Sequence, residues 1–246
     1  MTSARRLGRV ALWVLAAIVL AGVIGAVWLH QVMAGDRDRA LEAWQNDAIE
    51  ITDTETGIVM EPASGATSTG LVFVPGAKVD PYAYLYKLSG IVENGTTVVI
   101  TKPTLNLAFA DLRPLDAFTT NAPRIDEWFV GGHSLGGVKS CQYASDTSVA
   151  GLVFFGSYCA TDLSGTDLPV LSYVAQNDGL STPQNIEDAA GLLPADTITV
   201  ELPGANHADF GDYGVQPGDG ESTVDDSDVR DAITDEFQAW LDALEP

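Results

Sequence analysis

A chain of 246 residues with 12 Lys and Arg against 34 Asp and Glu carries a net charge of −22. A surface of that sign repels phosphate backbones, which argues against a nucleic-acid partner and for a well-solvated globular protein. Two cysteines and three histidines lack the spacing of a structural zinc site, and no metal or cofactor is expected.

Residues 10–29 form an uncharged apolar run of 20, about 30 Å as a helix, which matches a bilayer core. Arg5, Arg6 and Arg9 precede it and predict an amino terminus on the cytoplasmic side. Trp13 and Trp28 lie near its two ends. The rival is a cleaved signal peptide, with Val32-Met33-Ala34 as the small-residue site, but the run is longer than the usual signal core of roughly 7–15 residues. No cysteine lies directly after the run, so a lipoprotein anchor is excluded. The expectation is a single-pass signal anchor in the cell membrane: a cytoplasmic tail at 1–9, the span at 10–29, a juxtamembrane segment and first strand at 30–56, and an extracytoplasmic domain at 57–246. Cleavage would instead release a secreted form. About 200 residues beyond the run suffice for one core and not for two ordinary domains.

Beyond the run, residues 36–46 read as a short charged helix and 48–52 with 57–61 as two paired edge strands. Apolar strands follow at 71–74, 97–101, 127–131, 151–155, 170–175 and 197–202. Helical patterns lie between them at 82–92, 115–121, 132–143 and 186–193, with an amphipathic closing helix at 229–244. Continuous apolar strands alternating with helices predict an α/β fold, a mainly parallel sheet covered on both faces.

The strongest motif is Gly132-His133-Ser134-Leu135-Gly136, with Gly137 after it. It is a G-x-S-x-G pattern between a strand and a helix, the context in which a sharp turn lifts a serine hydroxyl above a sheet edge. Side chains at Gly132 or Gly136 would clash with the neighbouring strand or helix. A serine hydroxyl needs a base. Of the three histidines, His30 belongs to the membrane end and His133 is expected to point away from the serine. His207, in the loop after the last strand, remains. The carboxylate that orients it is expected at Asp178, after the preceding strand, with Asp162, Asp167, Asp196 and Glu201 as competitors. The order Ser134, Asp178, His207 is the one this chemistry takes on such sheets. Oxyanion donors are expected from the backbone N–H of Leu135 and from the loop after strand 71–74, at Ala77 or its neighbour Lys78.

Val74-Pro75-Gly76-Ala77-Lys78-Val79-Asp80-Pro81, residues 131–137, Asn206-His207 with Phe210-Gly211, and residues 213–220 together resemble the small bacterial α/β hydrolases of the fold-5 family. The resemblance runs from about residue 57 to the carboxyl terminus and implies an α/β-hydrolase fold with a Ser-Asp-His triad. The chain departs from many lipases in having Pro75-Gly76 where they carry His-Gly. The segment between 155 and 170 is too short for a helical lid, so an open pocket is expected. A disulfide between Cys141 and Cys159 is chemically permitted outside the cytoplasm. The expected activity is hydrolysis of carboxylic esters of small or short-acyl molecules; amide hydrolysis by the same triad, or a tethered binding protein, are the other readings. The acidic loop 219–231 matches no calcium-loop spacing.

Overall fold

The computed structural model describes residues 2–146 and 148–244. The side chains of residues 2–5, 7, 28 and 29 fall outside that description, and with them the expectations placed on Arg5 and Trp28. Helix α1 (Thr2–His30) is continuous over 29 residues. Within it Gly8–Val27 has a mean hydropathy of 2.7, long and apolar enough to cross a membrane as an anchor or to act as a signal sequence.

The chain from Met33 onward forms a separate unit built on eight strands: β1 (Ile49–Asp53), β2 (Gly57–Pro62), β3 (Thr69–Val74), β4 (Thr97–Thr101), β5 (Glu127–His133), β6 (Gly151–Phe155), β7 (Val170–Ala175) and β8 (Ile198–Leu202). Their order is β1-β2-β4-β3-β5-β6-β7-β8. Pairing is antiparallel for β1 with β2 and β2 with β4, and parallel throughout the rest. Only β1 of the first pair is an edge. β2, expected as an edge strand, is hydrogen-bonded on both sides and buried at Ile58, Val59 and Met60.

β-Branched and aromatic residues make these strands because both faces are covered. In β3, Leu71 and Phe73 face one layer while Val72 and Val74 face the other, all at most 2% exposed. The first layer holds α2 (Arg37–Trp44), α3 (Leu85–Glu93) and, after the last strand, α7 (Asp226–Leu244). α7 buries Val229, Ile233, Phe237 and Trp240 at helical spacing. It begins three residues before its first apolar position because Asp226 and Asp228 occupy the first turn, where acids suit the helix dipole. The second layer holds α4 (Asp116–Thr119) and α5 (Leu135–Asp146). Truncation of a side chain as enclosed as Phe73 would cost about 3–5 kcal/mol.

α6 (Pro183–Ala189) starts earlier than its apolar residues indicate, because Thr182 and Asn185 form a capping box with Pro183 in the first turn. Between β6 and β7 no helix is present among the described residues. The parallel strands all end at one edge of the sheet, and the loops that follow β3, β5, β7 and β8 gather the residues considered next.

Candidate active site

β5 ends in the turn Gly132-His133-Ser134-Leu135-Gly136, and Ser134 has φ 53°, the left-handed region that a serine enters only at a cost of about 1–3 kcal/mol. Crowding makes the two glycines necessary. A Cβ on Gly132 would lie 2.7 Å from the Val74 carbonyl oxygen, and one on Gly136 would collide with the Val74 and Pro75 carbonyls. The turn is held by Ser134 N–H donating to the Phe155 carbonyl (3.1 Å) and by Ser157 Oγ donating to the Ser134 carbonyl (2.6 Å). Ser134 is half-buried and Leu135 is exposed.

His207 follows β8 in a short 3-10 turn (His207–Phe210) and is 1% exposed. Its Nδ1 lies 2.7 Å from Asp178 Oδ2, which fixes the proton on Nδ1 and leaves Nε2 as the acceptor. That Nε2 is buried and has no hydrogen-bond partner among the described residues. The other oxygen of Asp178 accepts from the N–H groups of Leu180 (2.8 Å) and Ser181 (2.7 Å). Asp178 and His207 are therefore brought together, whereas Ser134 Oγ makes no hydrogen bond to His207. Active-site bonds of this kind are often long without substrate. The competing carboxylates are elsewhere: Asp162 caps its own turn through Ser164 N and Oγ, and Asp167, Asp196 and Glu201 are exposed.

Ala77 N–H has no acceptor among the described residues, whereas Lys78 N–H donates to the Asn106 carbonyl at 2.6 Å. Of the two amides considered for the loop after β3, only that of Ala77 is not engaged. Cys141 in α5 and Cys159 after β6 are joined as a disulfide with Cα atoms 5.6 Å apart.

Two features were not anticipated. His133, expected only to point away from the serine, packs against the histidine loop. Alternation along β5 puts Phe129, Gly131 and His133 on the α3/α7 face, and there the His133 ring packs 4.4 Å from that of His207. Tyr84 Oη accepts from Gly76 N–H (2.9 Å) and lies 2.9 Å from His133 Nδ1. Burial, and then repulsion by His207, hold the His133 pKa well below the usual histidine range, and burial pushes that of Tyr84 far up. The tyrosine is accordingly the donor and a neutral His133 the acceptor. The second feature is Asp219, whose carboxylate accepts from the N–H groups of His207 (3.2 Å), Ala208 (2.9 Å), Gly179 (3.0 Å) and Gly220 (2.8 Å). It ties the loop bearing His207 to the turn bearing Asp178. Its Pro217-Gly218-Asp219-Gly220 context is a turn signal that could have identified it.

Behind the His207 loop, an acidic cavity of about 860 Å³ is lined by residues including Asp36, Glu42, Asp209 and Asp212, but by neither Ser134 nor His207. Among the described residues no group of three or more His, Cys, Asp or Glu is placed to hold a metal ion.

No curated protein matches the chain. The family model described as the alpha/beta hydrolase family matches residues 70–231, a segment that contains the serine turn, Asp178 and His207. The chain belongs to the alpha/beta hydrolase family.

Proposed function

We propose that this protein is a membrane-anchored serine hydrolase that cleaves carboxylic esters of small or short-acyl substrates, with Ser134 as nucleophile, His207 as base and Asp178 as its orienting partner. The observation that carries the reading is the Asp178–His207 hydrogen bond of 2.7 Å, which leaves His207 Nε2 as a buried acceptor without a partner among the described residues, at the sheet edge where β5 delivers a serine in strained backbone.

In this mechanism Nε2 takes the Ser134 hydroxyl proton as Oγ adds to the ester carbon. The oxyanion receives hydrogen bonds from Leu135 N–H and Ala77 N–H. Collapse expels the alcohol, which takes its proton from His207 and leaves an acyl-serine. Water then adds to the acyl carbon, gives its proton to His207, and the carboxylic acid departs as the serine regains its hydrogen. Asp178 keeps the imidazole in the right tautomer and stabilises the transient imidazolium. With no helix between β6 and β7 the acyl group stays exposed to water, which favours short chains.

An uncleaved helix is favoured by Met33. Its N–H donates to the Lys78 carbonyl (2.7 Å), and its own carbonyl accepts from Asp80 N–H (2.9 Å). Cleavage after Ala34 would remove both bonds from the loop that carries Ala77. The arginines ahead of the span orient the domain outside the cytoplasm. Ester hydrolysis by Ser134→Ala, His207→Ala and the double variant tests the assignment. Each single change should lower the rate by several orders of magnitude and the pair by no more. Most of the activity surviving in His207→Ala contradicts it; preference for amides on the same substrate panel would move the reading to an amide hydrolase.

A further inference from the structure

The loop between β4 and α4 presents three large apolar side chains to solvent: Leu105 (40% exposed), Phe109 (67%) and Leu112 (91%). The loop is not loosely attached. Leu107 and Ala108 are buried beneath it, and Asp111 is buried in an ion pair with Arg113. Three exposed apolar side chains within eight positions on a fixed loop form a patch, a costlier arrangement than scattered single residues.

Two further observations say what covers the patch. The first is connectivity. Lys78, whose carbonyl accepts from Met33 N–H, donates its own N–H to the Asn106 carbonyl and its Nζ to the Leu105 carbonyl (3.2 Å). Met33 is three residues beyond the end of the apolar helix at His30, a reach of about 10 Å of extended chain. Met33 is thus two hydrogen bonds from the loop that carries the patch. The second is charge. Of the twelve Lys and Arg, nine follow the apolar run, and four of these, Lys78, Lys102, Arg113 and Lys139, gather about this loop. Arg113 bonds the Lys102 carbonyl (2.6 Å), and Lys139 acts on Asp111. Lys102 is paired with Asp53 and Arg113 with Asp111, so in a domain this acidic the cations make this the face that repels phosphate headgroups least.

We propose that loop 104–112 rests on the bilayer surface, with Leu105, Phe109 and Leu112 in the headgroup region, so that the mouth of the Ser134 site opens toward the membrane. The proposal rests on the helix-anchored reading above. It means that amphiphilic esters at the bilayer surface are presented to Ser134 at high local concentration, whereas substrates arriving from bulk solution approach from the side.

The test uses the full chain in phosphatidylcholine vesicles that contain lipids brominated in the acyl chains. One variant carries an environment-sensitive fluorophore on Leu112→Cys and a comparator carries it on Asp196→Cys, an exposed position at the opposite end of the sheet. The native cysteines are bonded to each other and do not take the label. On chains that float with the vesicles, the label at 112 should lose most of its emission to the brominated lipids while that at 196 keeps its own. Equal emission at the two sites, or stronger quenching at 196, overturns the proposal. So does a blue-shifted label at 112 that bromine does not quench, which would mark a protein partner or a second copy. Chains that fail to float overturn the anchor and this proposal with it. None of these outcomes depends on catalysis, so an error in assigning Ser134 is read separately from the ester assay.

Discussion

The His133 imidazole packs 4.4 Å from that of His207 and is hydrogen-bonded on its other side to Tyr84, whose oxygen also holds Gly76 N–H. His207, the proposed base, and the loop that carries the proposed oxyanion donor are therefore backed by one buried set of side chains. Tyr84→Phe removes the only acceptor described for the Gly76 amide, a loss of about 1–3 kcal/mol of stability. It should also lower kcat more than it raises KM if, as proposed, the loop acts on the transition state. His133→Ala should lower kcat by about 10²-fold through misplacement of His207. Steady-state kinetics on both variants, beside their melting curves, check this; an unchanged kcat in a folded His133→Ala would remove the residue from the account.

On the proposed reading, the segment without a helix between β6 and β7 limits substrate size. Each methylene enclosed in a tunnel contributes about 0.8 kcal/mol and far less on an open surface, so kcat/KM should peak for acyl groups of roughly two to six carbons. A nitrophenyl ester series from acetate to palmitate measures it. Highest efficiency on the dodecanoyl or palmitoyl ester would mean that the loop after His207 closes over the acyl chain.

The disulfide closes a separation of 18 residues between α5, which begins next to Ser134, and the loop after β6. Constraining the unfolded chain in this way is worth about 3 kcal/mol. Reduction, or Cys141→Ser with Cys159→Ser, should lower the denaturation midpoint accordingly. Mass analysis of exported protein without reductant should find no alkylated thiol; two alkylated cysteines would exclude the bond.

Asp212 is buried beside Lys87, Nζ at 3.1 Å, and its pKa is raised to about 6, by burial more than Lys87 offsets. A carboxyl that holds its proton more tightly folded than unfolded contributes most below its unfolded value near 3.8. That contribution is lost as pH rises through 6. Asp226, the other partner of Lys87, is shifted down and acts with the opposite sign at lower pH. The Tm of the native protein minus that of Asp212→Asn should therefore fall between about pH 4 and pH 6. A difference that is flat or rises across this interval would contradict the assignment.

The strands themselves and the serine turn were legible because both rest on strong local rules. Apolar runs such as Thr97–Thr101 suit a strand buried on both faces, and the glycines flanking Ser134 fit a tight strand-to-helix turn. The pairing of Asp178 with His207 follows from their places after successive strands. What escaped depended on side chains meeting across the sheet edge. That β2 is interior follows from its pairing with β4, which lies 35 or more positions along the chain. The approach of His133 to His207 depends on the strand alternation that continues past Gly131, and Asp219 was hidden within an acidic run whose bulk composition suggests only solvent.

The most direct test of Ser134 as a His207-activated nucleophile is covalent labelling of the full chain with a fluorophosphonate, followed by peptide mapping. The account predicts one modified residue, Ser134, with labelling lost in Ser134→Ala and slowed by orders of magnitude in His207→Ala. A folded protein that takes no label, labels at another serine, or labels equally fast without His207 would contradict it.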